Sequence, residues 1–504
     1  MRRCRAFLSL RGVKGSTIGI LMALAVLGAS LTVTQTPSGA APTTNPFNVV
    51  PSSVPRVVVT GPVGPASGID LPGTTSFNLR KVGYEQSEYF LSGIASSYTS
   101  ASPLNPDGRW TVRTAQTAPY KTRIVVYRPI SRKRFDGTIV AEWLNVSGGA
   151  DAGAAWLTDH VQMIRSGMVY VGVSAQAIGV NGIKSSDPTR YGSLNHPGDA
   201  FSYSIYQQAG TAVRRNAARV LSGLQPRRLL ALGESQSAIR LVTYIDALGP
   251  QSRHIYNGYF VYSSAKFAGP LTDVDTPEPT FIRTDLDVPV MMFETETDLI
   301  VGGYASARQP PTRFIREWEI AGGAHYDSYG LGPSMTDTGN GKGDVTTFDT
   351  MIHPVSSTSA GGISCPAPFN AGAHTYELRA AVVALTNWVA TGKAPPQSPR
   401  LDMDSSTALV IHQNGEAVGG VRTPQVQAPI AVVSGVPGGG GGFCVLFGKT
   451  VPFSSAKLAK LYPTHGAFVH KWDRAVADDV AAGYLLPADA RNLDRVAADS
   501  AIGG

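Results

Sequence analysis

The stretch best suited to covalent chemistry is Gly233-Glu234-Ser235-Gln236-Ser237. A short apolar run, Leu229 to Leu232, reads as a buried strand and leads into it. After it the apolar period becomes that of a helix, with Ile239, Val242 and Ile245 on one face and Gly249-Pro250 as the stop. Strand, tight turn with a serine, then helix is the context that lifts a hydroxyl clear of a sheet. Such a turn strains the backbone at Ser235, so the residues two positions either side must be small. Gly233 meets that demand, and Ser237 stands where the usual pattern has glycine. The amide of Gln236 and the helix dipole can then stabilise a developing oxyanion.

A serine hydroxyl is a poor nucleophile at neutral pH and needs a base. Nine histidines are available. His325 stands on a small-residue loop, Ala321-Gly322-Gly323-Ala324, directly after a strand candidate from Phe314 to Ile320. A carboxylate must hold the tautomer of that base. Another strand candidate, Val288 to Phe293, runs into Glu294-Thr295-Glu296-Thr297-Asp298. Asp298 has the expected spacing from its strand, Glu296 is the alternative acid, and Glu294 ends the strand. The chain order Ser235, Asp298, His325 and the position of each after a strand end suit an acyl-transfer triad.

A second oxyanion donor is expected on a loop after a central strand upstream of Ser235. Gly137 to Leu144 reads as that strand, and Asn145-Val146-Ser147-Gly148-Gly149 follows it. Ser147 is the chosen donor, with a register open by one or two positions. Asn145-Val146-Ser147 also matches a glycosylation acceptor, which a loop facing the pocket does not favour. A rival serine turn, Gly172-Val173-Ser174-Ala175-Gln176, follows the strand candidate Met168 to Ser174. Gln176 is bulky there, and residues 175–200 read as a polar loop rather than a helix. His196 reads as a loop histidine, and Asp199 as the cap of the helix that follows.

The remaining elements must position these loops. Arg56 to Thr60 and Lys121 to Tyr127 suggest strands, and residues 77–99 suggest antiparallel strands at the N-terminal edge of the sheet. Residues 154–166 and 201–221 carry helical periodicity, and Gly258 to Ser263 is a further strand. Residues 326–370 read as loop-rich and 376–391 as a helix. Strands and loops are expected over 403–450, and a mostly helical tail from Ser454 to Ala501. With no repeat and no clean linker, the reading is one domain over 41–504, with a C-terminal elaboration from about residue 393.

The first 40 residues are set apart. A basic head (Arg2, Arg3, Arg5, Arg11, Lys14), an apolar stretch from Ile18 to Leu31 and Ser38-Gly39-Ala40 before Ala41 read as a secretory signal. An uncleaved membrane anchor is the alternative, although the apolar stretch is shorter than a usual spanning helix. The chain has 43 basic and 36 acidic residues, net +7. Taking away the five basic residues of the signal leaves 38 against 36, so the charge gives no support for nucleic-acid binding. Residues 41–55 look like a flexible lead-in. Of three cysteines, Cys365 and Cys444 lie outside the signal. They could pair in an oxidising compartment or remain two separate thiols. No Cys/His spacing suggests a metal site.

Taken together, Glu142 to Gly149, Gly233 to Ser237, Glu294 to Asp298, Gly322 to Asp327 and Gly419-Gly420-Val421-Arg422-Thr423-Pro424 resemble the α/β-hydrolase superfamily. More narrowly they resemble a bacterial α/β-hydrolase domain-containing family. The resemblance implies an α/β fold with an eight-stranded, mostly parallel sheet flanked by helices, and a serine hydrolase with no metal or organic cofactor. The expectation is a secreted or cell-envelope enzyme acting on a small-molecule ester, with no nucleic-acid partner and no stable membrane insertion after signal cleavage. Acyl transfer by the same triad, and non-catalytic binding on a hydrolase fold, are the competing readings.

Overall fold

The structure is a computed structural model that describes residues 47, 50, 52, 54–252, 255–358 and 362–504. The signal reading of residues 1–40 and most of the lead-in over 41–55 lie outside the described residues.

One ten-stranded sheet organises the fold. Its strands in chain order are β1 (Val58–Thr60), β2 (Tyr84–Thr99), β3 (Arg113–Pro129), β4 (Thr138–Trp143), β5 (Val169–Val173), β6 (Arg228–Glu234), β7 (Gly258–Tyr262), β8 (Val290–Thr295) and β9 (Ile315–Ala321). Beyond these, β10 (Met403–Ser405) and β11 (Ala408–Leu409) form a small hairpin, β12 (Val421–Arg422) joins the main sheet, and β13 (Ala431–Ser434) pairs with β14 (Lys449–Pro452). The main sheet runs β1-β2-β3-β5-β4-β6-β7-β8-β9-β12. From β5 to β12 every neighbouring pair is parallel, while β1, β2 and β3 add antiparallel strands at the other side. Ten strands replace the expected eight. The additions are the short β1 and β12, one at each edge.

The central strands are buried throughout, as in β4, β7 and β8. This is why they read as continuous apolar runs rather than alternating ones: helices cover both faces of a parallel sheet. Parallel strands point their carboxyl ends the same way. The loops after β4, β6, β8 and β9 therefore open on one edge, where α/β sheets bind ligands.

Three local expectations need correcting. Residues 175–200 are not a loop: helices span Ala177–Ser186 and Pro188–Tyr191. The first begins where the Asp199 carboxylate accepts the Ala177 amide at 2.8 Å. Asp199 thus caps a helix that precedes it by 22 residues, and the following helix starts at Ser202 after a short 3-10 turn. Residues 326–370 also contain a helix, Lys342–Ile352. The single long strand β2 occupies most of 77–99.

Residues from 393 onward are bound into the same body. Helices His465–Ala482 and Pro487–Ala498 close the chain. Buried Asp489 pairs with Arg379 at 2.9 Å, on the Thr375–Thr391 helix, and with Arg165 at 2.8 Å, on the Ala154–Ser166 helix. Phe468 and Trp472 pack with Phe348 in a buried aromatic cluster. Cys365 and Cys444 are joined by a disulfide. Among the described residues no helix is long and apolar enough to cross a membrane.

Candidate active site

β6 delivers Ser235. Its backbone sits at φ 56, ψ −123, in a region that L-residues avoid, and the Gln236–Leu248 helix starts at the next residue. The turn is tight enough that a Cβ at Gly233 would lie 2.6 Å from the Ser237 carbonyl oxygen, so only glycine fits there. The departure from glycine at 237 has its own logic. The Ser237 hydroxyl donates to the Glu234 carbonyl at 2.8 Å and accepts the Glu234 amide at 2.9 Å, closing the turn across its base.

The strained turn points the hydroxyl at a base. Ser235 Oγ lies 2.7 Å from His325 Nε2, and His325 Nδ1 lies 2.6 Å from Asp298 Oδ1. Asp298 is buried and fixed from behind: its other carboxylate oxygen accepts the amide and the hydroxyl of Thr295, each at 2.7 Å. This capping box forms because Asp298 is the third residue of the short Glu296–Ile300 helix. The loops after β6, β8 and β9 thus converge, as the order of the motifs requires.

Glu296, the alternative acid, faces elsewhere. Its carboxylate accepts the amides of Gly322 at 2.6 Å and Gly435 at 2.7 Å, and the Ser434 hydroxyl at 3.0 Å. It ties the loop that carries His325 to β13, and burial pushes its carboxyl up to about 7. Glu294 lies within β8, which runs on to Thr295.

Electrostatics favour a poised imidazole. Burial opposes charge on His325, but Asp298 and, more weakly, Glu234 outweigh it and hold the pKa above the ordinary 6.5. The sequence pattern alone gives Glu234 no role. Its Oε1 is 3.8 Å from His325 Nε2, and burial pushes its carboxyl up to about 7. The signal was its place inside the serine motif.

The loop after β4 lies beside the serine turn, because Trp143 and Gly233 are partners in adjacent parallel strands. Asn145 bridges the two: its Nδ2 donates to the Glu234 carboxylate at 2.8 Å and to the Glu234 carbonyl at 3.1 Å. Its Oδ1 accepts the Ser147 amide at 2.8 Å, so that amide is already engaged. The amides of Val146 and Gln236 donate to no acceptor among the described residues. The far end of the loop is held by buried Glu142, which accepts the amides of Ala155 and Trp156 and the Tyr170 hydroxyl.

Ser174 sits at the next strand end but is closed off. It is fully buried, and its hydroxyl donates to Asp151 and accepts from Arg123 Nε at 3.0 Å. The His196 ring contacts the Ala175 carbonyl at 2.8 Å, a loop role. Among the described residues no cluster of His, Cys, Asp or Glu could hold a metal ion.

A profile described as "Alpha/beta hydrolase domain" matches residues 56–495, and the chain belongs to that family. It has the α/β-hydrolase fold. No curated protein matches the chain. Solved structures similar to it include an arylesterase, at 11% identity over 35% of this chain and 63% of that one, with a TM-score of 0.23. Esterase Est22 is 12% identical over 42% of this chain and 64% of its own, with a TM-score of 0.26. A variant of the rice cell wall degrading esterase LipA from Xanthomonas oryzae is 13% identical over 36% and 44%, at 0.24. The chain therefore spans less than two thirds of these proteins.

Proposed function

We propose that the chain is a serine hydrolase of carboxylic esters acting through an acyl-enzyme. The observation that carries this reading is the unbroken hydrogen-bonded line Ser235–His325–Asp298 on a strained strand–helix turn. Ser235 Oγ attacks the ester carbonyl while its proton passes to His325 Nε2. The imidazolium, held by Asp298, then protonates the departing alcohol. Water repeats the sequence: His325 takes its proton, the acyl group leaves as the carboxylic acid, and Ser235 is restored. The amide of Gln236 and, one residue before the expected Ser147, that of Val146 are the proposed oxyanion donors. Both amides are unengaged among the described residues; Gln236 follows Ser235 in the chain, and Val146 follows Asn145, which is bonded to Glu234.

Export out of the cytoplasm is part of the proposal. The basic head and apolar stretch before residue 41 support it, as does the Cys365–Cys444 bond, since such bonds persist in oxidising compartments. Turnover of p-nitrophenyl butyrate by the purified protein, with a burst of p-nitrophenol that Ser235→Ala abolishes, is the expected outcome. Ester turnover that survives Ser235→Ala would sink the reading.

A further inference from the structure

The cavity at the triad is small. It has a volume of about 200 Å³ and is lined by Ser235, His325 and Asp298 together with Ile239, Phe267, Val301 and Leu446 among others. Ligand pockets commonly run to about 300–1,000 Å³, so this one is small. A larger cleft of about 490 Å³ exists by Arg80, Tyr84 and Tyr127, but no triad residue lines it.

Charge limits the occupant as well as size does. Among the described residues lining the triad cavity there is no lysine or arginine, and the charged groups are Asp298 and His325. They are bonded to one another, and His325 also to Ser235. An anionic arm would find no counter-charge and would lie against Asp298. Phe267 and Val301 are 36% and 41% exposed, so apolar side chains form the rim.

One wall comes from far along the chain. Leu446 ends a short 3-10 turn, Gly442–Leu446, that carries Cys444. The disulfide to Cys365 fixes one side of this strap, and the Leu446 carbonyl accepts the amide of Tyr326, next to His325, at 3.2 Å. The strap is thus held from two directions, and the Leu446 backbone cannot move away without breaking a bond beside His325.

Building on the ester-hydrolase reading, we propose that the enzyme selects esters with a short, neutral arm, and that Leu446 sets the length limit. The arm is the acyl chain or the alcohol, since both diverge from the carbon bonded to Ser235. Two substrate series tell them apart: p-nitrophenyl acetate, butyrate, octanoate and laurate, and the acetates of methanol, butanol and octanol followed by proton release.

In one series kcat/KM is expected to fall steeply beyond the butyl member. Leu446→Ala should raise the octyl-to-butyl ratio in that series roughly tenfold, the discrimination available from a few methylenes in a pocket. Leu446→Trp should move the limit the other way and depress butyl relative to acetyl or methyl. Equal turnover of short and long members in both series by the parent would overturn the inference while leaving the ester hydrolase standing. So would ratios that neither variant changes. No turnover in either series, with no fluorophosphonate adduct at Ser235, would instead overturn the hydrolase reading and this inference with it.

Discussion

Two strand ends of this sheet carry a serine in nearly the same local setting. At the end of β5, Gly172-Val173-Ser174 leads to a helix at Ala177; at the end of β6, Gly233-Glu234-Ser235 leads to one at Gln236. One is a structural hydroxyl and the other faces a base. Ser174 has no positive φ, its amide donates to the Arg123 carbonyl, and its side chain completes a buried network of Arg123, Asp151 and Glu88. Ser235 holds φ 56 and has a histidine 2.7 Å away. The motif alone does not set the posture of the hydroxyl. The spacing to the helix does: a helix that starts directly after Ser235 goes with the strained, raised turn, whereas Ala175 and Gln176 separate Ser174 from its helix and Ser174 lies in the core.

The comparison can be broken most severely at Ser235. Ser235→Ala should lower kcat by about four to six orders of magnitude, read from ester turnover. Asp298→Asn should cost about 10⁴-fold by presenting the wrong imidazole tautomer. Glu296→Gln, by contrast, should leave an enzyme still labelled at Ser235. Its loss is in stability, about 1–3 kcal/mol in a denaturant titration, as the Gly322 and Gly435 amides lose a charged acceptor.

A smaller effect sharpens the electrostatic side. His325 must be neutral to accept the serine proton, so activity falls as pH drops through its pKa. That limb should lie above 6.5 in the parent, since Asp298 and Glu234 stabilise the imidazolium. Glu234→Gln removes one of those charges and should move the acid limb of the kcat/KM profile to lower pH. An upward move would contradict the role given to Glu234. Smallest of all in activity is Ser174→Ala. Turnover should stay within a few-fold of the parent, while stability falls by about 1–3 kcal/mol because Asp151 and Arg123 lose a buried partner.

The ordered motifs were legible because β6 and β8 carry apolar runs and β9 closes on the small residues Ala321-Gly322-Gly323-Ala324. Ser235, Asp298 and His325 follow these strand ends, and burial on both faces makes those runs stand out. The helix after Ser174 was not legible. Its cap, Asp199, comes 22 residues later, and its apolar Ile178, Val180 and Ile183 are interrupted by Gly179, Asn181 and Gly182. The Asn145–Glu234 bridge spans 89 residues, so no window held both partners. The same holds for Leu446, whose wall depends on a disulfide and a contact to Tyr326 more than a hundred positions away. Contacts between distant segments set which amide of the loop after β4 is left unengaged and how large the pocket is, whereas local pattern marks Ser235, Asp298 and His325.

The most direct test of the central claim is intact mass after treatment with a fluorophosphonate, on the parent, Ser174→Ala and Ser235→Ala. One adduct on the parent and on Ser174→Ala, and none on Ser235→Ala, is the predicted result. An adduct that survives Ser235→Ala, or a parent that takes none, would contradict the account.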